Sequence, residues 1–175
     1  TSSEYSVKID KTAPTVGAVT MKKGSSTGSN YTSDTWTNQS VYVKVANGTD
    51  SGSNHKSTTY AIDGGTAIGT STTKTITDEG THTLKVTTED NAGNTASAEY
   101  IIKIDKTAPS AGTLTMKYGS SSGSNYTSGT LTNQNIYVSL NNGSDTLSGH
   151  SSTTYSVDGG SATTSATTLN TSGTH

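Results

Sequence analysis

The hexapeptide IDKTAP occupies residues 9–14 and recurs unchanged at residues 104–109. The two copies lie 95 positions apart, and the same offset relates many residues between them. The matched pairs include Met21/Met116, Tyr31/Tyr126, Tyr42/Tyr137, Val43/Val138, Gly48/Gly143, His55/His150, Tyr60/Tyr155 and Asp63/Asp158. This period is too long for a solenoid repeat and suits a sandwich module of about 100 residues. The sequence therefore predicts a tandem array.

The offset also predicts where each repeat begins and ends. Glu4 and Tyr5 align with Glu99 and Tyr100, so residues 1–9 are predicted to be the last strand of a preceding repeat. Residues 10–104 form a complete repeat. Residues 105–175 form a second one that stops before its final strands. We expect this second repeat to fold poorly by itself, because its sheets would have unpaired edges.

Apolar residues alternate with polar ones, as they do in half-buried β-strands. Val41, Val43 and Val45 give the clearest strand, and its counterpart in the second repeat contains Ile136 and Val138. Further strands are predicted over residues 5–9, 17–21, 58–63, 74–76, 78–84 and 100–104, with loops at residues 47–55 and 88–94. Because no segment has helical periodicity, the predicted fold is an all-β antiparallel sandwich.

Composition excludes several classes of function. Hydrophobic residues make up 27% of the chain, against roughly 45–50% in ordinary globular proteins. Such a low fraction is also found in disordered chains, but the net charge of only −2 argues against disorder. There is no cysteine, so disulfides cannot brace the modules. The absence of a Lys/Arg cluster argues against nucleic acid as a partner. No apolar run predicts membrane insertion. No catalytic triad or phosphate-binding loop is present, so we expect no enzymatic activity.

A family resemblance follows from three motifs. The segment DEGTHTL at residues 78–84 resembles strand F of the immunoglobulin fold, D-x-G-x-Y-x-C, with His82 in the tyrosine place and Leu84 in the cysteine place. With the IDKTAP linkers and the DNAGN turn at residues 90–94, the chain resembles the bacterial immunoglobulin-like repeats of large surface proteins and adhesins.

That resemblance implies tandem immunoglobulin-like modules joined by short Pro-containing linkers. It implies an extracellular location, at a cell surface or in a cell wall. The implied function is that of a non-catalytic stiff stalk or spacer in adhesion. Its partners would be neighbouring repeats of the same protein, with a host surface or glycan bound through another domain.

The resemblance also indicates a Ca²⁺ site at the junction of modules, where the linker and two loops would lie at one end of the sandwich. Calcium takes about 6–8 oxygen ligands. The candidate ligands are Asp10, Asp50, Glu89, Asp90, Asn91, Asn94 and Asp105. The alternative is that DNAGN is only a turn and that Asp10 only caps the linker, since Asp, Asn and Gly favour turns.

Two histidines and two glutamines are weaker candidates for a functional role. His55 and His150 occupy matching loop positions, which suits either a metal or pH-sensing role or an ordinary surface histidine. Gln39 or Gln134 would be a partner in an ester cross-link, and lysines in isopeptide bonds, but no buried acid is predicted beside them.

Two other functions are consistent with the sequence. One is a glycan- or protein-binding module with an aromatic surface, although Trp36 is replaced by Leu131 in the second repeat. The aromatic residues of that surface would be Trp36, Tyr31, Tyr42, Tyr126 and Tyr137. The other is a decoration or fibre domain of a phage virion.

Overall fold

The computed structural model describes residues 4–175 and divides the chain into two compact units. Unit 1 extends to Thr107, and unit 2 is Ala108–His175. The described residues form strands, turns and irregular segments but no helix, so the all-β prediction is confirmed. The finer immunoglobulin-like assignment stays a prediction.

The described residues of unit 1 form eight strands. They are β1 (Val19–Lys23), β2 (Trp36–Thr37), β3 (Val41–Val45), β4 (His55–Ile62), β5 (Ile68–Gly69), β6 (Lys74–Ile76), β7 (Gly80–Asp90) and β8 (Thr95–Ile104). The predicted strands at residues 41–45 and 74–76 are confirmed as β3 and β6.

The smaller sheet of unit 1 has the order β1-β3-β6, with antiparallel pairing throughout. Its central strand, β3, turns Val41, Val43 and Val45 toward the core, where each is no more than 1% exposed. β-Branched valine fits a pleated surface, and the intervening Tyr42 and Lys44 point the other way.

The larger sheet has the order β2-β8-β7-β4-β5. β7 and β8 form a long antiparallel hairpin, β4 pairs with the other edge of β7, and β2 runs parallel to the end of β8. The two sheets share one core. Its buried residues are Tyr31, Val41, Val43, Val45, Tyr60, Ile76, Leu84, Val86, Ile102 and Ile104.

Unit 2 contains β9 (Thr113–Tyr118), β10 (Ile136–Asn141) and β11 (Thr167–Leu169), in one antiparallel sheet of order β11-β10-β9. This sheet is the counterpart of β1-β3-β6. A single bridge, Tyr155 to Thr163, stands where β4 and β5 pair in unit 1. The core of unit 2 is small, with Ile136, Val138 and Tyr155 buried.

Several sequence expectations differ from the structure, including the following. Residues 1–3 of the predicted first strand lie outside the described residues, and residues 4–9 form no strand. Tyr5 and Val7 are 90% and 80% exposed, since no described strand pairs with this segment. The strand predicted over residues 78–84 runs as β7 to Asp90, so the predicted loop at residues 88–94 is reduced to a tight turn after Asp90. Pairing with β8 on one side and β4 on the other extends β7.

The boundary between the units lies within the second IDKTAP. The predicted boundary was at Asp105, whereas residues 105–107 pack with unit 1. The backbone N–H of Asp105 donates to the carbonyl oxygen of Thr37 at 2.9 Å. The predicted division of the chain into repeats stays a prediction.

Candidate metal centre

Three aspartates from separate segments of unit 1 come together. Asp10 lies in the first IDKTAP, Asp50 in the loop between β3 and β4, and Asp90 at the end of β7. One carboxylate oxygen from each lies within 4.8 Å of the others. Pairing of β4 with β7 brings these two loops together, because both are at the same end of the larger sheet.

The Asp50 carboxylate organises its own loop. Its Oδ2 accepts backbone N–H bonds from Gly52, Ser53 and Asn54 at 3.0, 2.9 and 3.0 Å. Gly52 is required for the close approach of Asp10, since a Cβ at position 52 would lie 2.5 Å from Asp10 Oδ2. The equivalent position of unit 2 is Leu147. The two loops therefore differ at the point where Asp10 docks.

Asp90 is fully buried and its carboxylate is held by the turn that follows it. Oδ1 accepts the N–H groups of Ala92 and Asn94, both at 2.9 Å, and Oδ2 accepts the Asn94 side-chain amide at 2.8 Å. Burial raises the pKa of Asp90, but these hydrogen bonds outweigh burial and leave the pKa below its usual value. Asp90 is therefore ionised at neutral pH.

Asp10 joins the linker to both loops. Its Oδ1 accepts the Thr12 N–H at 3.0 Å, and its Oδ2 accepts the Ser53 N–H at 2.7 Å. The hydrogen bond from Thr12, followed by those from Ser53, lowers the pKa of Asp10. The Asn94 amide also donates to the backbone oxygen of Asp10 at 3.2 Å. The linker is thus fixed to unit 1 by side-chain and backbone contacts.

These donors fit a hard divalent cation. All three side chains offer carboxylate oxygens, which Ca²⁺ prefers, and carbonyls or water would complete 6–8 ligands. The hydrogen bonds described to the three carboxylates come from neutral N–H and hydroxyl groups. A cation would offset their mutual repulsion more strongly than neutral donors do. The same neutral donors also hold the cluster together without an ion.

The structure places the other predicted ligands differently. Asn94 lies between Asp10 and Asp90, and the Asn91 amide donates to the carbonyl oxygen of Ser53 at 3.0 Å. Glu89 instead contacts Lys56 Nζ at 2.8 Å. Asp105 follows the far end of β8, where its Oδ1 accepts the Thr107 N–H.

Comparisons with protein-family models, with curated proteins and with solved structures found no match to this chain. Among the described residues there is no helix of a length and apolarity that would cross a membrane.

The histidines and glutamines singled out in the sequence make matched local contacts. His55 Nε2 lies 2.9 Å from Thr58 Oγ1, and His150 Nε2 lies 2.6 Å from Thr153 Oγ1. The backbone N–H groups of Gln39 and Gln134 bond to the hydroxyls of the threonines two residues before them. These contacts are local, and none of them involves an acidic side chain.

Tyr31 is in the core rather than on an aromatic surface. It is 5% exposed, and its hydroxyl donates to the Thr35 carbonyl at 2.6 Å and accepts the Lys103 N–H at 2.8 Å. Trp36 is half-buried, with Lys103 Nζ 6.0 Å from its ring centre. This placement removes one member of the predicted aromatic surface.

Sequence reasoning missed the anchor at the other end of unit 1, in the turn before β7. The Glu79 carboxylate accepts hydrogen bonds from the Lys106 backbone N–H and from Thr107 Oγ1. Lys106 Nζ donates to the Thr77 carbonyl at 2.6 Å. The sequence signal for this anchor was the glutamate of EGTH together with the Lys-Thr pair of the second IDKTAP. Their proximity depends on the β7–β8 register, which pairs Gly80 with Ile104.

Proposed function

We propose that this chain is a non-catalytic structural spacer, built from immunoglobulin-like repeats of an extracellular surface protein or filament. The supporting observation is that β8 connects two anchored linker segments. Asn94, immediately before β8, donates to the backbone of Asp10, and Asp105, immediately after β8, donates to Thr37. A pull on the chain would therefore pass through the strand itself.

The pairing of β8 suits this load. Its register with β7 runs from Glu89–Thr95 to Gly80–Ile104, so a pull along β8 shears many antiparallel hydrogen bonds together. At the far end, β2 adds parallel pairing at Lys103 and Ile104. Bonds that must break together resist extension better than bonds that open one after another. The larger sheet would act as the load-bearing part of the spacer.

A Ca²⁺ ion at Asp10, Asp50 and Asp90 would strengthen the first of the two anchors. Those three carboxylates would hold the ion, and the ion would supply electrostatic attachment of the linker to unit 1. Bound ligand stabilises the folded state in proportion to the logarithm of its concentration. In a surface protein this would make the stiffness of the stalk depend on extracellular calcium.

Single-molecule stretching of residues 1–175 between two handle domains tests the spacer function. We expect unit 1 to open in one cooperative step, and Asn94→Ala to lower the force of that step. Asn91→Ala is the matched control, since Asn91 contacts the Asp50 loop but not Asp10. Gradual extension of unit 1 at low force would contradict a load-bearing role.

A further inference from the structure

His82, the third residue of β7, lies between two oxygen acceptors. Its Nδ1 is 2.8 Å from Asp63 Oδ2, and its Nε2 is 3.0 Å from the carbonyl oxygen of Asp78. The side chain is 14% exposed. A neutral imidazole carries one N–H and leaves its other nitrogen as an acceptor. Only the protonated ring can donate to both oxygens.

The charges around His82 favour that protonated form. Asp63 approaches from the turn after β4, and Asp78 lies in the segment before β7; from β8, Ile102 is the residue opposite. Lys103, the next residue of β8, is paired with Asp34 at 2.6 Å. Burial lowers the pKa of His82, but the hydrogen bonds to Asp63 and Asp78 and the negative charge of both residues outweigh burial and raise it.

Unit 2 repeats this geometry with a different upstream residue. His175 Nδ1 lies 2.7 Å from Asp158 Oδ2, and its Nε2 lies 3.0 Å from the carbonyl oxygen of Thr171. Asp158 and Asp63 have nearly the same positive φ, 52° and 51°. The upstream partner is a backbone carbonyl in both units, so the contact survives the change from Asp78 to Thr171. The arrangement therefore recurs in both units.

In unit 1 the contact between His82 and Asp78 fixes a turn that also anchors the segment after β8. Asp78 lies between Thr77 and Glu79, and both of these hold the segment that follows β8. The Glu79 carboxylate accepts from Lys106 and Thr107, and the Thr77 carbonyl accepts from Lys106 Nζ. Fixing the position of the Asp78 carbonyl thus also fixes residues 77–79, to which residues 106–107 are anchored.

We propose that His82 is a pH-sensitive lock on residues 77–79, which fastens the segment after β8 when protonated and loosens it when neutral. Since the folded pKa is raised, the stabilisation is complete below the unfolded value of about 6.5 and is lost as pH rises through the folded pKa. The proposal adds a regulation that the spacer function does not require.

The test combines two NMR measurements on the full chain between pH 5 and 9. The ring protons of His82 report its titration, and hydrogen exchange of the Lys106 amide, corrected for the intrinsic pH dependence, reports the anchor. We expect His82 to titrate above 6.5 and Lys106 protection to fall at least threefold as His82 deprotonates. Protection that stays flat through this titration, or a His82 pKa at or below 6.5, would overturn the proposal.

Asp63→Asn removes the negative charge beside His82 while preserving the local backbone conformation. Asparagine tolerates the positive φ at this position, and its oxygen can still accept the Thr83 N–H that now bonds to Asp63 Oδ1 at 2.7 Å. Its amide can donate to Nδ1 of a neutral His82. We expect the pKa of His82 to fall and the protection of Lys106 to become independent of pH.

Asp34→Asn is the control, because Asp34 is another exposed aspartate with positive φ, 67°, but its partner is Lys103. Because Asp34 pairs with Lys103 and not with His82, the pH dependence should remain as in the unmodified chain. If Asp34→Asn abolished the dependence as fully as Asp63→Asn, the effect would be general electrostatics, and the lock would be refuted. Should Asp63→Asn misfold, the measurements on the unmodified chain still decide.

Discussion

The β4 strand and its sequence counterpart in unit 2 adopt different structures. Residues 55–62 form eight continuous strand residues in unit 1, whereas residues 150–157 are irregular apart from the bridge at Tyr155. By contrast, β10 has the same pairing with β9 and β11 as β3 has with β1 and β6. One sheet is therefore common to both units, and the other is complete in unit 1 only.

The difference lies in β7 and β8, because unit 2 matches only the first three residues of β7, at residues 173–175, and these form no strand. β4 pairs with β7 from His55 to Ile62, so most of its backbone hydrogen bonds depend on the hairpin. The core responds as well. Val45 is 1% exposed, whereas its counterpart Leu140 is only half-buried, and Leu131, which replaces half-buried Trp36, is fully exposed. Strand structure at residues 55–62 is thus imposed by a neighbour rather than by local sequence.

The largest effect should come from supplying the missing hairpin. Appending a copy of residues 83–104 after His175 gives unit 2 its own counterparts of β7 and β8. We expect residues 150–157 to become a strand and unit 2 to gain the stability of a small domain, about 5–15 kcal/mol in total. Hydrogen exchange of the extended chain measures this gain. An appended segment of the same composition in scrambled order should leave residues 150–157 unprotected.

The reverse change weakens the hairpin in unit 1. Leu84 on β7 is fully buried. Leu84→Ala should reduce the free energy of unfolding of unit 1 by about 2–5 kcal/mol, through lost burial and the cavity left behind. Unit 2 should change by less than about 0.5 kcal/mol. Urea unfolding followed by NMR signals from each unit distinguishes the two, and an equal loss in both would contradict an effect confined to unit 1.

Matched truncations in the common sheet give a smaller effect. Val43 is fully buried beneath the larger sheet, while Val138 is 4% exposed in a core of three buried residues. Val43→Ala should cost unit 1 about 2 kcal/mol, and Val138→Ala should cost unit 2 about half as much, because fewer neighbours surround it. The ratio of the two losses in urea unfolding measures how much the second sheet contributes to packing. Equal losses would mean that it contributes little.

The smallest predicted difference between the units is the stabilisation that each gains from calcium. At ten times the dissociation constant, a single bound ion would stabilise unit 1 by about 1.4 kcal/mol. Unit 2 should not respond, since residues 108–175 contain no counterpart of Asp90. The measurement is thermal unfolding with calcium and with chelator.

Asp10→Ala, Asp90→Ala and Gly52→Leu should each abolish the calcium response. In the last variant, the side chain found at this position in unit 2 would occupy the place of the Asp10 carboxylate. Glu89→Gln is the control that should retain the response, because Glu89 contacts Lys56. A response that persists in all three variants would place the ion elsewhere, and no response at all would leave the neutral donors as the only attachment.

Sequence periodicity predicted the strands whose burial alternates. The valines of β3 were located to the residue because one face of that strand is buried, and β6 was located to the residue although only Ile76 in it is buried. The same reasoning ended β7 too early, since the Asp and Asn residues near its end are typical of turns. Residues 4–9 show the opposite error. They have the alternating pattern of a strand, but they form no strand because no described strand pairs with them.

The candidate site was predicted in part, for a geometric reason. Asp10, Asp50 and Asp90 were expected to converge, and the structure brings them together. Glu89 was grouped with them by proximity in sequence. Successive residues of a strand point to opposite faces, so β7 turns Asp90 inward and Glu89 toward Lys56. Sequence spacing alone could not show that β7 reaches this far.

Native-state hydrogen exchange of the unmodified chain tests most directly whether the hairpin creates the second sheet. The amides of residues 57–62 are compared with those of residues 152–157, with β3 and β10 as internal references. We predict at least 100-fold greater protection in unit 1, or about 2.7 kcal/mol, with a much smaller difference between β3 and β10. Equal protection of the two segments would show that residues 150–157 form their strand without the hairpin, and would contradict this account.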